Sequence, residues 1–153
     1  MKLTFLKNIR QDATILLVED DPEDVLLVAE AFKHVGLPDI LRHVQDGEEL
    51  MTYIRHQGVY ADPTKYPVPD LILLDLNMPR RNGLEVLSDI KSDPDHRTIP
   101  IVVFTTTRRV DDINMSYQLG ANSFISKPSD FKTLCNTLRT ISLYWLDVVT
   151  LKN

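Results

Sequence analysis

A chain of 153 residues, 43% apolar and 25% charged, is long enough for one domain with a buried core, and its composition excludes wholesale disorder. Its net charge of −5 argues against a nucleic-acid footprint, and its single cysteine, Cys135, excludes an intrachain disulfide and suits a reducing compartment. No apolar run exceeds five residues and MKLTFLKNIR lacks a signal-peptide core, so no membrane partner is expected and the predicted setting is cytoplasmic.

Strand-like and helix-like stretches alternate along the chain. TILLV, residues 14–18, predicts a first strand. PEDVLLVAEAFKHVG predicts a helix, with Asp21 as its cap, Pro22 in its first turn and Gly36 as its stop. DILRHV reads as a second strand, and GEELMTYIRHQG as a second helix with Leu50, Met51 and Ile54 on one face. VYADPTKYPVPD carries three prolines and reads as a loop. LILLD is a third strand, buried on both sides, followed by a helix over GLEVLSDIKSD. IVVF, VDDINMSYQLG and NSFIS give a fourth strand, a fourth helix and a fifth strand, and a last helix starts near Asp130. Five such units imply an α/β fold whose parallel sheet is covered on both faces, with its site beyond the carboxyl ends of the strands.

The residues that follow the strands form one set. Glu19, Asp20 and Asp21 follow the first strand, Asp75 the third, Thr105, Thr106 and Thr107 the fourth, and Lys127 with Pro128 the fifth. Carboxylates gathered at one sheet edge repel unless a cation joins them, and oxygen donors of this kind suit Mg²⁺. A cation beside a carboxylate can clamp an incoming phosphoryl group, aspartate can accept one covalently, and lysine can bind one of its oxygens.

The motifs VEDD, LLDLNMPRRNG, VVFTTT and ISKPSD resemble the response-regulator receiver domain of two-component signalling, over residues 14–147. The spacing agrees, with 30 residues from Asp75 to Thr105 and 22 from there to Lys127. The resemblance implies a flavodoxin-like (βα)5 sheet in strand order 2-1-3-4-5. It implies Asp75 as phosphoacceptor, and Mg²⁺ or Mn²⁺ held by Glu19, Asp20, Asp75 and the carbonyl of Asn77. Lys127, Thr105 and Thr106 would contact the phosphoryl group, Thr105 and Phe124 would form the switch, and Asn77 and Thr107 would tune the phosphoryl lifetime. A cis Lys127–Pro128 bond is also implied. The long gap between Asp20 and Asp75, the ADPTKYPVPD insertion and the C-terminal YWL are similar to regulators serving phytochromes, which points to a phytochrome-type sensor histidine kinase as partner. Residues 1–13 are expected to be an extension and 14–150 the receiver, with no output domain.

Rival functions meet specific objections. An aspartyl-nucleophile phosphatase of the haloacid-dehalogenase type carries a second Asp two residues on, where this chain has Asn77. A nucleotide or flavin binder would need a glycine-rich loop, and neither GxGxxG nor GxxxxGK[ST] occurs. A pseudo-receiver would lack part of the acidic pair, acceptor and lysine. Asp24 reads as first-turn helix charge, and Arg80 and Arg81 as anion steering or a solvated pair. In the last helix Phe131, Leu134, Cys135, Leu138, Ile141, Trp145 and Val149 make one apolar stripe, while Tyr144, Val148 and Leu151 make a second. The second is expected to form a homodimer interface, with Leu3, Phe5 and Leu6 as the rival cover.

Overall fold

The computed structural model describes residues 8–78 and 82–152. Its strands are β1 (Ile15–Val18), β2 (Leu41–Val44), β3 (Leu71–Leu74), β4 (Ile101–Thr105) and β5 (Ser123–Ser126). Its helices are α1 (Pro22–His34), α2 (Gly47–Ile54), α3 (Gly83–Ser92), α4 (Val110–Gln118) and α5 (Phe131–Leu143). The strands form one parallel sheet in the order β2-β1-β3-β4-β5.

Period-two alternation divides the core. Ile15, Leu17, Leu71, Leu73, Val102 and Phe104 face α1 and α5, whereas Leu16, Val18, Ile72, Leu74, Ile101 and Val103 face the side of α2 and α3. Three consecutive positions of β3 lie in register with β4, Ile72 with Ile101 through Leu74 with Val103. That register brings Asp75 and Thr105 out at the same edge. Cap chemistry agrees with the sequence: Asp21 accepts from the Glu23 N–H at 2.9 Å, and Asp46, Asn82 and Asp130 cap α2, α3 and α5. Helix α4 is the outlier, with Ser116 its only buried residue.

The proline-rich loop is packed. It opens with a 3₁₀ turn, Gly58–Tyr60. The rings of Tyr53, Tyr60 and Tyr66 meet at 4.9 to 6.0 Å, and the Tyr53 and Tyr60 hydroxyls donate to Pro67 O and Glu49 Oε2.

The last helix departs from the expected stripe. Leu134, Cys135, Leu138 and Ile141 are buried, but α5 gives way to a π-helical turn over Tyr144–Val148, closed by Val149 N–H to Tyr144 O at 2.8 Å. The wider turn moves the buried place one residue on, so Leu146 takes it and Trp145 is only partly buried. Phe131 is exposed. Leu151 also departs from expectation: the backbone turns extended at Val149, and Leu151 packs on the core beside α1 and α5 instead of joining Tyr144 and Val148. Leu3, Phe5 and Leu6, like Pro79, Arg80 and Arg81, lie outside the described residues.

Candidate phosphoacceptor and metal site

Parallel strands end together, and here their carboxyl ends bring Glu19, Asp20, Asp75, Thr105 and Lys127 to one edge. Glu19 is 1% exposed and is fixed by its surroundings: the Asp21 N–H donates to its Oε2 at 3.2 Å, and His43 Nε2 lies 2.7 Å from its carbonyl. Asp75 is buried, with Oδ1 accepting from the Asn77 N–H at 3.3 Å. Asp20 is exposed. Oxygens of Glu19, Asp20 and Asp75 all lie within 4.8 Å of one another.

Lys127 answers part of that charge. Its Nζ donates to Glu19 Oε1 and to Asp24 Oδ2, the latter at 3.0 Å, and lies 3.6 Å from Asp75 Oδ2. Burial pushes the Glu19 carboxyl up to about 7, and the Lys127 hydrogen bond pulls it back only in part. Burial alone would lower the Lys127 ammonium, but the Glu19 hydrogen bond, the charges of Asp75 and Glu19 and the Asp24 hydrogen bond outweigh it and hold it above its ordinary value. Three clustered carboxylates, two of them buried and all of them oxygen donors, fit Mg²⁺ or Mn²⁺.

Thr105 is fully buried and its hydroxyl has no hydrogen-bond partner among the described residues. A buried, unpaired hydroxyl at the strand edge that carries the acceptor is a donor in want of an acceptor. Thr106 is exposed at the rim, whereas Thr107 is engaged at the start of α4: its hydroxyl donates to Asp112 at 3.1 Å and accepts from the Arg109 N–H at 3.4 Å. Phe124 is half-buried, and its N–H donates to the Tyr117 hydroxyl at 3.1 Å, tying β5 to the end of α4.

Three residues at the site escaped the sequence reading. Asp24 is more than first-turn charge, because it binds Lys127. Tyr117 holds the free edge of β5. Gly83 lets α3 close on the acceptor strand, since a Cβ there would lie 2.6 Å from Asp75 O and 2.7 Å from Leu76 Cα. The expected cis Lys127–Pro128 bond is not found: no described peptide bond is cis, and trans is the ordinary X–Pro geometry. At the opposite end of the sheet an open cleft of about 540 Å³, lined in part by Arg10, Asp70, Ile99 and Leu146, holds none of these residues.

The comparisons agree with this geometry. Residues 15–139 match the family described as response regulator receiver domain. Response regulator Rcp1 of Synechocystis sp. (strain PCC 6803) is 42% identical over 137 residues, 90% of this chain and 91% of that protein. The crystal structure of the phosphorylated cyanobacterial phytochrome response regulator RcpA superposes with a TM-score of 0.84 at 42% identity, covering 92% of this chain and 99% of that one. That of the Mn²⁺-bound form of Rcp1 gives 0.80 at 40% identity, with the same coverage. With the strand order, the carboxylate cluster and the lysine all in place, this chain belongs to the response-regulator receiver family.

Proposed function

We propose that this protein is a single-domain response regulator that takes a phosphoryl group on Asp75 from a sensor histidine kinase of the phytochrome type. The observation that carries the reading is the meeting of Asp75 with two further carboxylates and the Lys127 ammonium, at the sheet edge where the buried Thr105 hydroxyl lacks a partner among the described residues. The resemblance to phytochrome regulators supports the choice of kinase. Glu19, Asp20, Asp75 and the Asn77 carbonyl would hold Mg²⁺ or Mn²⁺, which when bound neutralises charge on the transferred group. Asp75 supplies the attacking oxygen. Lys127 binds a phosphoryl oxygen, with Thr106 at the rim, and the Thr105 hydroxyl gains its missing acceptor. Movement of Thr105 frees space for Phe124 and alters the face of α4, β5 and α5.

The chain is a phosphoacceptor that catalyses only its own phosphotransfer and dephosphorylation, with residues 14–150 as the receiver and the cytoplasm as its setting; among the described residues no helix is long and apolar enough to cross a membrane. Output through a homodimer is supported by Tyr144 and Val148, 52% and 70% exposed on the π turn.

Incubation with acetyl phosphate and Mg²⁺ tests the central reading. Wild type incorporates label, Asp75→Asn does not, and chelator prevents it. Full labelling of Asp75→Asn would sink the assignment. Sedimentation tests the dimer: Val148→Asp is expected to dissociate it, and a wild type monomeric at high micromolar concentration, with and without phosphoryl group, removes it.

A further inference from the structure

We propose that Asp24, in the first turn of α1, is a positioning residue that holds the Lys127 ammonium ready for a phosphoryl group on Asp75. The inference rests on the phosphoacceptor reading of Asp75. An ammonium has three N–H donors. Glu19 Oε1 takes one and Asp24 Oδ2, at 3.0 Å, takes another. The third is left for Asp75, whose Oδ2 at 3.6 Å is beyond hydrogen-bond reach. A phosphoryl group bonded to Asp75 brings its own oxygens into that gap, so Lys127 can meet it without leaving its present partners.

Glu19 alone does not secure that position. It is also a member of the carboxylate cluster, where a bound cation would compete with Lys127 for it. Asp24 stands outside the cluster, so its hold on Lys127 persists when a cation is present. The hydrogen bond also joins α1 to the segment after β5, 103 residues away in sequence. Favourable interaction of first-turn charge with the helix dipole requires no such partner.

Positioning and simple electrostatics predict opposite signs. Removing a negative charge near an incoming anion tightens its binding, whereas releasing Lys127 weakens it. The probe is beryllium fluoride, a phosphoryl mimic, titrated calorimetrically in saturating Mg²⁺. Asp24→Ala is expected to weaken its binding by about three- to tenfold, and Asp24→Asn, which keeps an acceptor oxygen, by less. In a Lys127→Met background neither substitution weakens it further. Mg²⁺ binding, measured on every variant before fluoride is added, reports an intact cluster. Tighter or unchanged fluoride binding in Asp24→Ala, or equal weakening with and without Lys127, overturns the inference alone. A wild type that takes no beryllium fluoride in Mg²⁺ overturns the phosphoacceptor reading and this inference together.

Discussion

Lys91 and Lys127 are both drawn away from solvent at opposite ends of the sheet, Lys91 beside the loops entering β4 and β5, Lys127 at the carboxyl end of β5. Lys91 donates to three neutral oxygens, Arg97 O at 3.2 Å, Ile99 O at 2.8 Å and Asn122 Oδ1 at 3.2 Å. Its stem lies against Gly120, whose φ of 107° and lack of a side chain leave the room; a Cβ there would meet Lys91 Cγ at 2.9 Å. Burial holds the Lys91 ammonium below its ordinary value, whereas Lys127, facing three carboxylates, is held above its own. One lysine staples three chain segments with every donor used. The other is surrounded by more negative charge than it can neutralise. The excess charge marks which end of the sheet awaits a ligand.

The largest expected effect is therefore at Lys127. Lys127→Met leaves Glu19, Asp24 and Asp75 without their cation and should lower stability by about 3 kcal/mol in chelator. Mg²⁺ should restore much of that loss, since it binds the folded cluster alone. Urea unfolding with and without Mg²⁺ checks both halves, and a loss insensitive to Mg²⁺ would break the comparison. Gly83→Ala forces a methyl group into the backbone of Asp75 and Leu76. A loss of about 2 kcal/mol is expected, with slower acetyl-phosphate labelling, because the acceptor strand end must shift. Lys91→Met strips the hydrogen-bond donor from three oxygens on two neighbouring segments and should cost about 1–2 kcal/mol, with no rescue by Mg²⁺.

Thr105→Val should move the other way. Replacing an unpartnered buried hydroxyl by a methyl group of similar shape is expected to raise the unphosphorylated protein's melting temperature, by about 1 kcal/mol of stability. The same variant should lose the phosphorylation-linked change in partner affinity. The smallest effect is a pH slope. With its folded-state value below 10.5, Lys91 binds fewer protons folded than unfolded just below that pH. Its contribution to stability therefore rises with pH there, and wild type should gain on Lys91→Met as the pH rises towards 10.5.

Much of this end of the molecule was legible in the sequence, because strand ends and turn signals sit beside each other along the chain. Asp75 follows a run of four buried residues, Asp21 precedes Pro22, and the loop before Asp70 is punctuated by prolines. Asp24 was not legible, since its partner is brought close only by the packing of α1 against the end of β5. Gly83 was quoted within a motif, yet the demand for glycine comes from a neighbouring backbone that local sequence does not reveal. The C-terminal stripe failed for a different reason. A period of 3.6 residues holds through Ile141, and then the π turn adds a residue, putting Leu146 where Trp145 was expected.

That turn has a spectroscopic consequence. Trp145 is the only tryptophan in the chain, edge-on to the exposed Tyr144 ring at 5.2 Å, and its neighbour Leu146 lines the cleft at the end of the sheet remote from Asp75. A change in the emission of Trp145 with protein concentration would signal pairing of chains over the Tyr144–Val148 surface. A change on phosphorylation at fixed dilution would show that the message has crossed the whole length of α5.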